Sequence, residues 1–248
     1  MDLSPFEANI YSEFAAGGFS RKDCTVAFYT RVNALLDPSM TVLNLGAGRG
    51  ANILADLSPF RRQIQRFKGR AKIVIGADVD SAINENPDLD EACVIGPDGR
   101  LPIPDHTIDI IVSDHVFEHV KQPSLLASEL ERVLKPGGWL CARTPNKWGY
   151  IGIATRAIPN SAHVGILRRL QPNRKSEDVF PTHYRMNTRR ALRKLFPPSN
   201  WHHHSYEYNG VPGYHANIRL IFRIIDIYNQ CMPNILGAKL HVFLQKRI

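Results

Sequence analysis

Three glycines at alternate positions, Gly46, Gly48 and Gly50, follow directly on the apolar run Thr41 to Leu45. Glycine reaches positive φ without a Cβ in the way, so a strand-to-helix turn of this kind lets backbone amides close on a nucleotide-like ligand. A second apolar run ends Ile75-Gly76-Ala77-Asp78. It sets a carboxylate at a strand's C-terminal end beside that turn, where a ribose diol needs an acceptor. A capping Asp is the alternative reading of Asp78. Taken alone, the spacing Gly46-x-Gly48-x-x-Ala51 also satisfies the loose dinucleotide fingerprint, so the glycines do not separate one cofactor from another.

A second constellation is His115-x-x-Glu118-His119. An imidazole suits removal of a proton from a hydroxyl near neutral pH, which makes His115, and after it His119, candidate bases. Residues at this spacing share a helical face and could hold a divalent metal. The expectation is no metal, with His115, Glu118 and His119 as the alternative ligand set and helix capping as the plain reading of Glu118 and His119. A third histidine cluster, His202-His203-His204, lies in strand-like sequence. Alternation sends His203 to the face opposite His202 and His204, so three ligands for one ion are not expected there.

These residues need elements to position them. Apolar periodicity predicts helix over 4–36 with a break at Gly17-Gly18, strand 41–45, helix from about Asn52, and strands 72–77, 92–95 and 108–112. Helix 123–134 and strand 138–143 follow, the latter after Lys135-Pro136-Gly137-Gly138. Such alternation implies a parallel sheet covered on both faces. Pro, Gly and charge become dense over 144–198, which reads as a cap of loops and short helices. Strand 201–208, an apolar helix at about 216–230 and strand 240–245 complete the chain, the two strands as an antiparallel pair at the sheet's far edge.

The 248 residues fit one α/β domain: a helical cover over 1–40, a cofactor-binding core over 41–143, a basic cap over 144–200 and a strand-helix-strand tail over 201–248. Four scattered cysteines without a CxxC pair argue against a disulfide framework or zinc knuckle. The N-terminus lacks a basic region followed by an apolar one, and no stretch approaches the ~18 apolar residues of a spanning helix. A cytoplasmic protein is expected, with peripheral contact at the inner membrane face as an alternative. The net charge of +8 is concentrated: ten of the basic residues fall between Ile151 and Asn200, against only Glu177 and Asp178. Anionic partners follow from that segment rather than from the fold.

The order of motifs narrows the reading. After the glycine turn and Asp78 come Leu101-Pro102-Ile103-Pro104-Asp105-His106-Thr107-Ile108-Asp109 and then Leu134-Lys135-Pro136-Gly137-Gly138. Together they resemble the class I S-adenosylmethionine-dependent methyltransferases, specifically the small-molecule type 11 group, over about 41–145. The resemblance implies a Rossmann-like fold with a mostly parallel seven-stranded sheet, helices on both faces and an antiparallel C-terminal strand pair. It implies S-adenosyl-L-methionine as cofactor, with Asn44, Gly46, Ala47, Gly48 and Gly50 along its methionine part, Asp78 on the ribose and Val79 on the adenine. Asp98 and Gly99 lie in the segment Gly96-Pro97-Asp98-Gly99-Arg100, which occupies the place where the family contacts the adenine amino group, with its acid shifted by one position, and Ser113 and Asp114 complete the cofactor-binding set. Asn44 replaces the family's usual aspartate and loses a charge. His115-x-x-Glu118-His119 is similar to the metal motif of ubiquinone-pathway O-methyltransferases, with His115 in place of the first glutamate.

The cap supplies the candidate acceptor contacts Asn146, Trp148, Tyr150, His183, Tyr184 and Arg185, because aromatic faces and guanidinium forks suit ring surfaces and anions. The expected reaction is O-methylation, before N-methylation, of a small or lipid-linked anionic or glycan acceptor. Nucleic acid is the lesser alternative, since Ser113-Asp114-His115-Val116 is not the Asn/Asp-Pro-Pro-aromatic turn of base amino methylation. A non-catalytic cofactor-binding module is a further alternative, and a dehydrogenase leaves the last two motifs without a role. In the tail helix, Arg219, Arg223, Asp226 and Gln230 share one stripe. The broad apolar remainder is expected to pack on the sheet, with contact to membrane or a lipid-linked acceptor as the alternative.

Overall fold

The alternation of apolar runs and amphipathic segments builds a single mixed sheet in a computed structural model, which describes residues 8–157, 181–213, 215 and 217–248. Strands β1 (Thr41–Leu45), β2 (Ile73–Asp78), β3 (Glu91–Val94), β4 (Ile108–Asp114) and β5 (Leu134–Pro145) are parallel, in the order β3-β2-β1-β4-β5. β8 (Lys239–Lys246) adds antiparallel to β5, and β6 (Trp201–His203) and β7 (Tyr206–Tyr208) both add antiparallel to β8. β6 and β7 lie on one line of register, from Trp201↔Lys246 to Tyr208↔Lys239, so the eight strands fill seven lanes. The expected single strand over 201–208 is interrupted at His204-Ser205, where the Ser205 hydroxyl accepts from the Phe243 amide (3.1 Å).

The central strands are buried on both faces, by two layers of apolar side chains. On one face, Ile110 and Val112 of β4 meet Phe28, Tyr29 and Val32 of α1 (Cys24–Leu35). On the other, Ile108 and Ile111 meet Leu130 and Val133 of α4 (Pro123–Val133) and Leu192 of α6 (Arg189–Leu195). α1 begins where the Asp23 carboxylate accepts from Thr25 N and Val26 N (2.8 and 2.9 Å), satisfying two of the amides a helix start leaves unpaired. Strand order reverses between β1 and β4, and the carboxyl ends of an open α/β sheet form a crevice at such a point. The glycine turn leaves β1 and the His115 segment leaves β4 at that crevice.

Several expectations are revised. Residues 9–23 hold a 3-10 turn, Ser12–Ala15, between turns and bends, so the expected helix is interrupted there and resumes at Cys24; residues 1–7 lie outside the described residues. The helix from Asn52 is a single turn, α2 (Ala51–Leu54), and the intervening basic segment folds as α3 (Pro59–Gln65), with Ser58 capping and Pro59 in the first turn. In the cap, α5 (Tyr150–Ala157) and α6 flank residues 158–180, which lie outside the described residues with Arg168, Arg169, Arg174, Lys175, Glu177 and Asp178.

The tail helix α7 (Arg219–Cys231) does not bury its apolar surface on the sheet. Phe222 and Asn229 turn inward, Phe222 against Tyr11 (ring centroids 6.0 Å), while Leu220, Ile224 and Ile227 face solvent. The segment supplies more apolar surface than its small contact with Tyr11 and Phe14 can cover.

Candidate active site

The turn after β1 is held from three sides. Gly46 N donates to Ala77 O of β2 (2.7 Å), and Gly48 N donates to Asp78 Oδ2 (2.9 Å). Asn86 Nδ2 donates to the carbonyls of Ala47 and Gly48 (3.1 and 2.9 Å). All three glycines are left-handed, with φ of 72°, 47° and 75° for Gly46, Gly48 and Gly50. A Cβ on Gly46 would lie 2.1 Å from Val116 Cγ2, and one on Gly50 would lie 2.8 Å from Asn86 Oδ1. Gly48 differs: a Cβ there would meet nothing nearer than Asp78 Oδ2 at 4.0 Å. The turn is therefore closed against the protein at two glycines and open at the middle one, beside a carboxylate.

Asp78 accepts from Gly48 N and from Asp80 N (3.0 Å), which leaves lone pairs for further donors. Val79 next to it is 67% exposed and offers an apolar surface for a ring. Asn44 is half-buried in β1 between Gly76 and Val112. Ile95 N donates to Asp78 O (2.7 Å), so the turn at Gly96 to Gly99 leaves from beside the same carboxylate. Asp98 there is exposed and accepts from Arg100 N (3.2 Å), and Gly99 is left-handed under Leu125. On β4 the Ser113 hydroxyl is buried with no hydrogen-bond partner among the described residues. An open glycine, a carboxylate with spare capacity, an exposed apolar neighbour and an orphaned hydroxyl fit an adenosyl and amino-acid ligand at this crevice.

The second half of the site starts one residue past β4. His115 has φ of 58°, a left-handed conformation that is uncommon outside glycine and concentrates at functional sites. Its amide is fixed to Arg143 O (2.8 Å). Its Nδ1 lies 3.1 Å from Glu118 Oε1, and its Nε2 lies 3.4 Å from Lys239 Nζ. Glu118 is buried; its Oε2 accepts from Thr144 Oγ1 (2.8 Å), and that hydroxyl accepts from Asn187 Nδ2 (2.6 Å). A buried carboxylate thus reaches through one hydrogen bond to an imidazole that is 41% exposed.

Carboxylate contact at Nδ1 makes that nitrogen the donor and leaves a lone pair on Nε2. Burial and the Lys239 ammonium push the imidazole below its ordinary range, outweighing the carboxylates of Glu118 and Asp114. It is accordingly neutral at pH 7. Lys239 is lowered as well, by burial first.

Other expected site residues have different partners. Asp114 points to the α1 face, where Arg143 holds it with two bonds (2.8 and 2.5 Å) and Tyr29 Oη donates to it (3.3 Å). It stays ionised: burial works against its charge, but Arg143, with His115 and Lys239, brings it down to about 2. His119 Nδ1 lies 2.9 Å from Pro181 O. Among the described residues, no group of three His, Cys, Asp or Glu side chains could hold an ion. In the histidine run, His203 Nε2 lies 2.8 Å from Phe196 O, and His204 sits against Trp139 (5.6 Å).

The cap residues divide. Asn146 is buried, its Nδ2 donating to Ile235 O and Gly237 O (2.9 and 2.8 Å), so it locks a loop instead of facing an acceptor. Tyr184 is buried, and Arg185 Nη1 donates to Lys121 O (2.6 Å). The amides of His183 and Tyr184 both donate to Glu118 O (2.7 and 3.2 Å), which brings the exposed His183 ring beside the His115 segment. Trp148 is exposed, and Tyr150 contacts Tyr228 of α7 (ring centroids 6.3 Å). Asn86, Thr144, Asn187 and Lys239 are the functional neighbours that sequence reasoning missed. Only Lys239 carries a signal: a last strand antiparallel to β5 must begin at the crevice, where it pairs with Pro145.

Residues 43–142 match the family model described as a methyltransferase domain. A probable S-adenosylmethionine-dependent methyltransferase of Mycolicibacterium smegmatis is 34% identical over 107 residues, 41% of this chain and 36% of the relative. An uncharacterized methyltransferase of Mycobacterium bovis is 41% identical over 69 residues, 23% of this chain and 27% of the relative. The chain thus spans little more than a third, or less, of these relatives' length. A solved S-adenosylmethionine-dependent methyltransferase from Archaeoglobus fulgidus is similar in fold, with a TM-score of 0.53 at 15% identity over 92% of this chain and 95% of that one. A possible histamine N-methyltransferase from Thermotoga maritima has a TM-score of 0.52 at 13% identity, covering 98% and 97%.

Proposed function

We propose, from the match of residues 43–142 to a methyltransferase domain, that this protein is a class I S-adenosylmethionine-dependent methyltransferase of type 11 and that it methylates an oxygen of a small or lipid-linked acceptor, anionic or glycan in character, with His115 as the base. The carrying observation is the hydrogen bond from the exposed imidazole of His115 to the buried carboxylate of Glu118 (3.1 Å), in the segment that leaves β4, the strand paired with β1. S-adenosylmethionine, when bound, supplies an already activated methyl on a sulfonium.

The chain's own residues then have three tasks. Gly46, Ala47, Gly48, Gly50 and Asp78 hold and orient the donor, with Val79, Asp98 and Gly99 toward its adenine and Ser113 below. Positioning carries most of a displacement of this kind, since alignment of two bound reactants removes much of the entropic barrier. His115 takes the acceptor's proton on Nε2, the nitrogen that Glu118 leaves free. Glu118 and the nearby Asp114 carboxylate, 3.8 Å from Nε2, balance the imidazolium that results. Lys239 neighbours the same nitrogen and favours an acceptor that brings negative charge. Trp148, Tyr150 and His183 are the cap residues that remain as acceptor contacts.

His115→Ala is the test. It should leave S-adenosylmethionine binding intact and slow methyl transfer by about 10²-fold or more, the usual contribution of a positioned base. Unchanged turnover removes His115 from the chemistry.

A further inference from the structure

Helix α7 carries Leu220, Ile224 and Ile227 at the i, i+4, i+7 spacing of a single face, and they are 68%, 59% and 61% exposed. A continuous apolar stripe turned to water is unusual for a soluble domain and marks an interaction surface. The helix is fixed from its other side by Phe222 and by an ion pair between Lys22 and Asp226 (2.7 Å). Its outward face is thus held in position and does not reflect a loose tail.

Charge identifies what covers it. Asp226 is the helix's one acid, and Lys22 neutralises it; Arg219 and Arg223 flank the stripe and are exposed. On the opposite flank, Tyr228 touches Tyr150 of α5, where Ile153 is 48% exposed, and the adjoining Trp148 lies under the Lys147 ammonium (5.8 Å). An apolar stripe edged by arginines, with an exposed tryptophan beside a lysine, is the composition of a helix that lies in the headgroup layer of an anionic bilayer.

We propose that the α7 face is a docking surface for anionic lipid, seating the protein on a membrane with the His115 edge nearby through Tyr150 and the Asn146 loop. The proposal stands apart from the methyl-transfer reading, because the experiment needs no turnover. The full chain is sedimented with vesicles of phosphatidylcholine alone, and with vesicles containing about one-third phosphatidylglycerol. It should bind the anionic vesicles and release as salt is raised. Ile224→Asp should lower the partition coefficient by roughly tenfold or more, because it sets a charge in the apolar boundary. Paired Arg219→Glu and Arg223→Glu should do at least as much on anionic vesicles, at about fivefold per basic residue removed from the surface. Leu220→Ser is the milder variant should Ile224→Asp fail to fold. Equal partition of wild type and variants overturns the proposal, as does failure of the wild type to prefer anionic vesicles. A dimer on gel filtration that Ile224→Asp dissolves, without vesicle binding, assigns the stripe to a second copy instead.

Discussion

Glu118→Gln isolates the contact on which the proposed base depends. The change keeps the size and one acceptor oxygen, which can still take the Thr144 hydroxyl, but removes a buried negative charge 3.1 Å from His115 Nδ1. Two unit charges about 4 Å apart attract by about 4 kcal/mol at an effective dielectric near 20. His115 is 41% exposed, so solvent screening is taken to halve this, to about 2 kcal/mol. That corresponds to roughly a thirtyfold loss of proton affinity at the imidazole. The assay is a pH titration of the His115 ring by NMR, with the signal assigned by its absence in His115→Ala. The ring should titrate lower in Glu118→Gln and higher in Lys239→Met, because the carboxylate favours the imidazolium and the ammonium opposes it. Once an acceptor is in hand, kcat should fall with the same variant while S-adenosylmethionine affinity does not. An unmoved titration in Glu118→Gln refutes the coupling, and a shift of both variants in one direction refutes the electrostatic account of the site.

Two further outcomes concern stability. Gly46→Ala should cost about 2–4 kcal/mol, combining a left-handed backbone with overpacking against Val116. A urea midpoint reads the loss, and Val116→Ala in the same chain should recover only the steric part. His241 is buried beside Cys24, Tyr206, Tyr208 and Arg143, and burial ahead of Arg143 pulls it down to about 3. Its folded value lies below its unfolded one, so stability is full above pH 6.5 and declines as pH falls toward the folded value, by up to about 1.4 kcal/mol per pH unit. Thermal melts from pH 7 to 4.5 should show this decline, lessened in His241→Gln; a flat profile refutes it.

The strands were legible because an alternating apolar run between turn residues has few other ways to bury itself. Thr41 to Leu45 and Ile108 to Val112 are strands as expected, and the glycine turn sits at the end of the first. β5 runs longer than its apolar stretch because antiparallel pairing with β8, through Pro145↔Lys239, holds the polar end in the sheet. The hydrogen-bonded chain from His115 to Asn187 was not legible, since it joins segments whose spacing in sequence says nothing of their distance. Asp114 shows the same limit: its partner Arg143 is on the neighbouring strand, and only register brings them together. Asn146 invited a substrate role by its place among aromatics, yet the buried carbonyls of Ile235 and Gly237 claim its amide. For α7, the sequence shows an apolar face but cannot show that Leu220, Ile224 and Ile227 stay exposed among the described residues.

The central claim is that the glycine turn and Asp78 bind the methyl donor. Isothermal calorimetry with S-adenosylmethionine and the purified chain tests it most directly. The account predicts saturable one-to-one binding that Asp78→Ala abolishes and His115→Ala preserves. No binding by the wild type, or undiminished binding by Asp78→Ala, contradicts it.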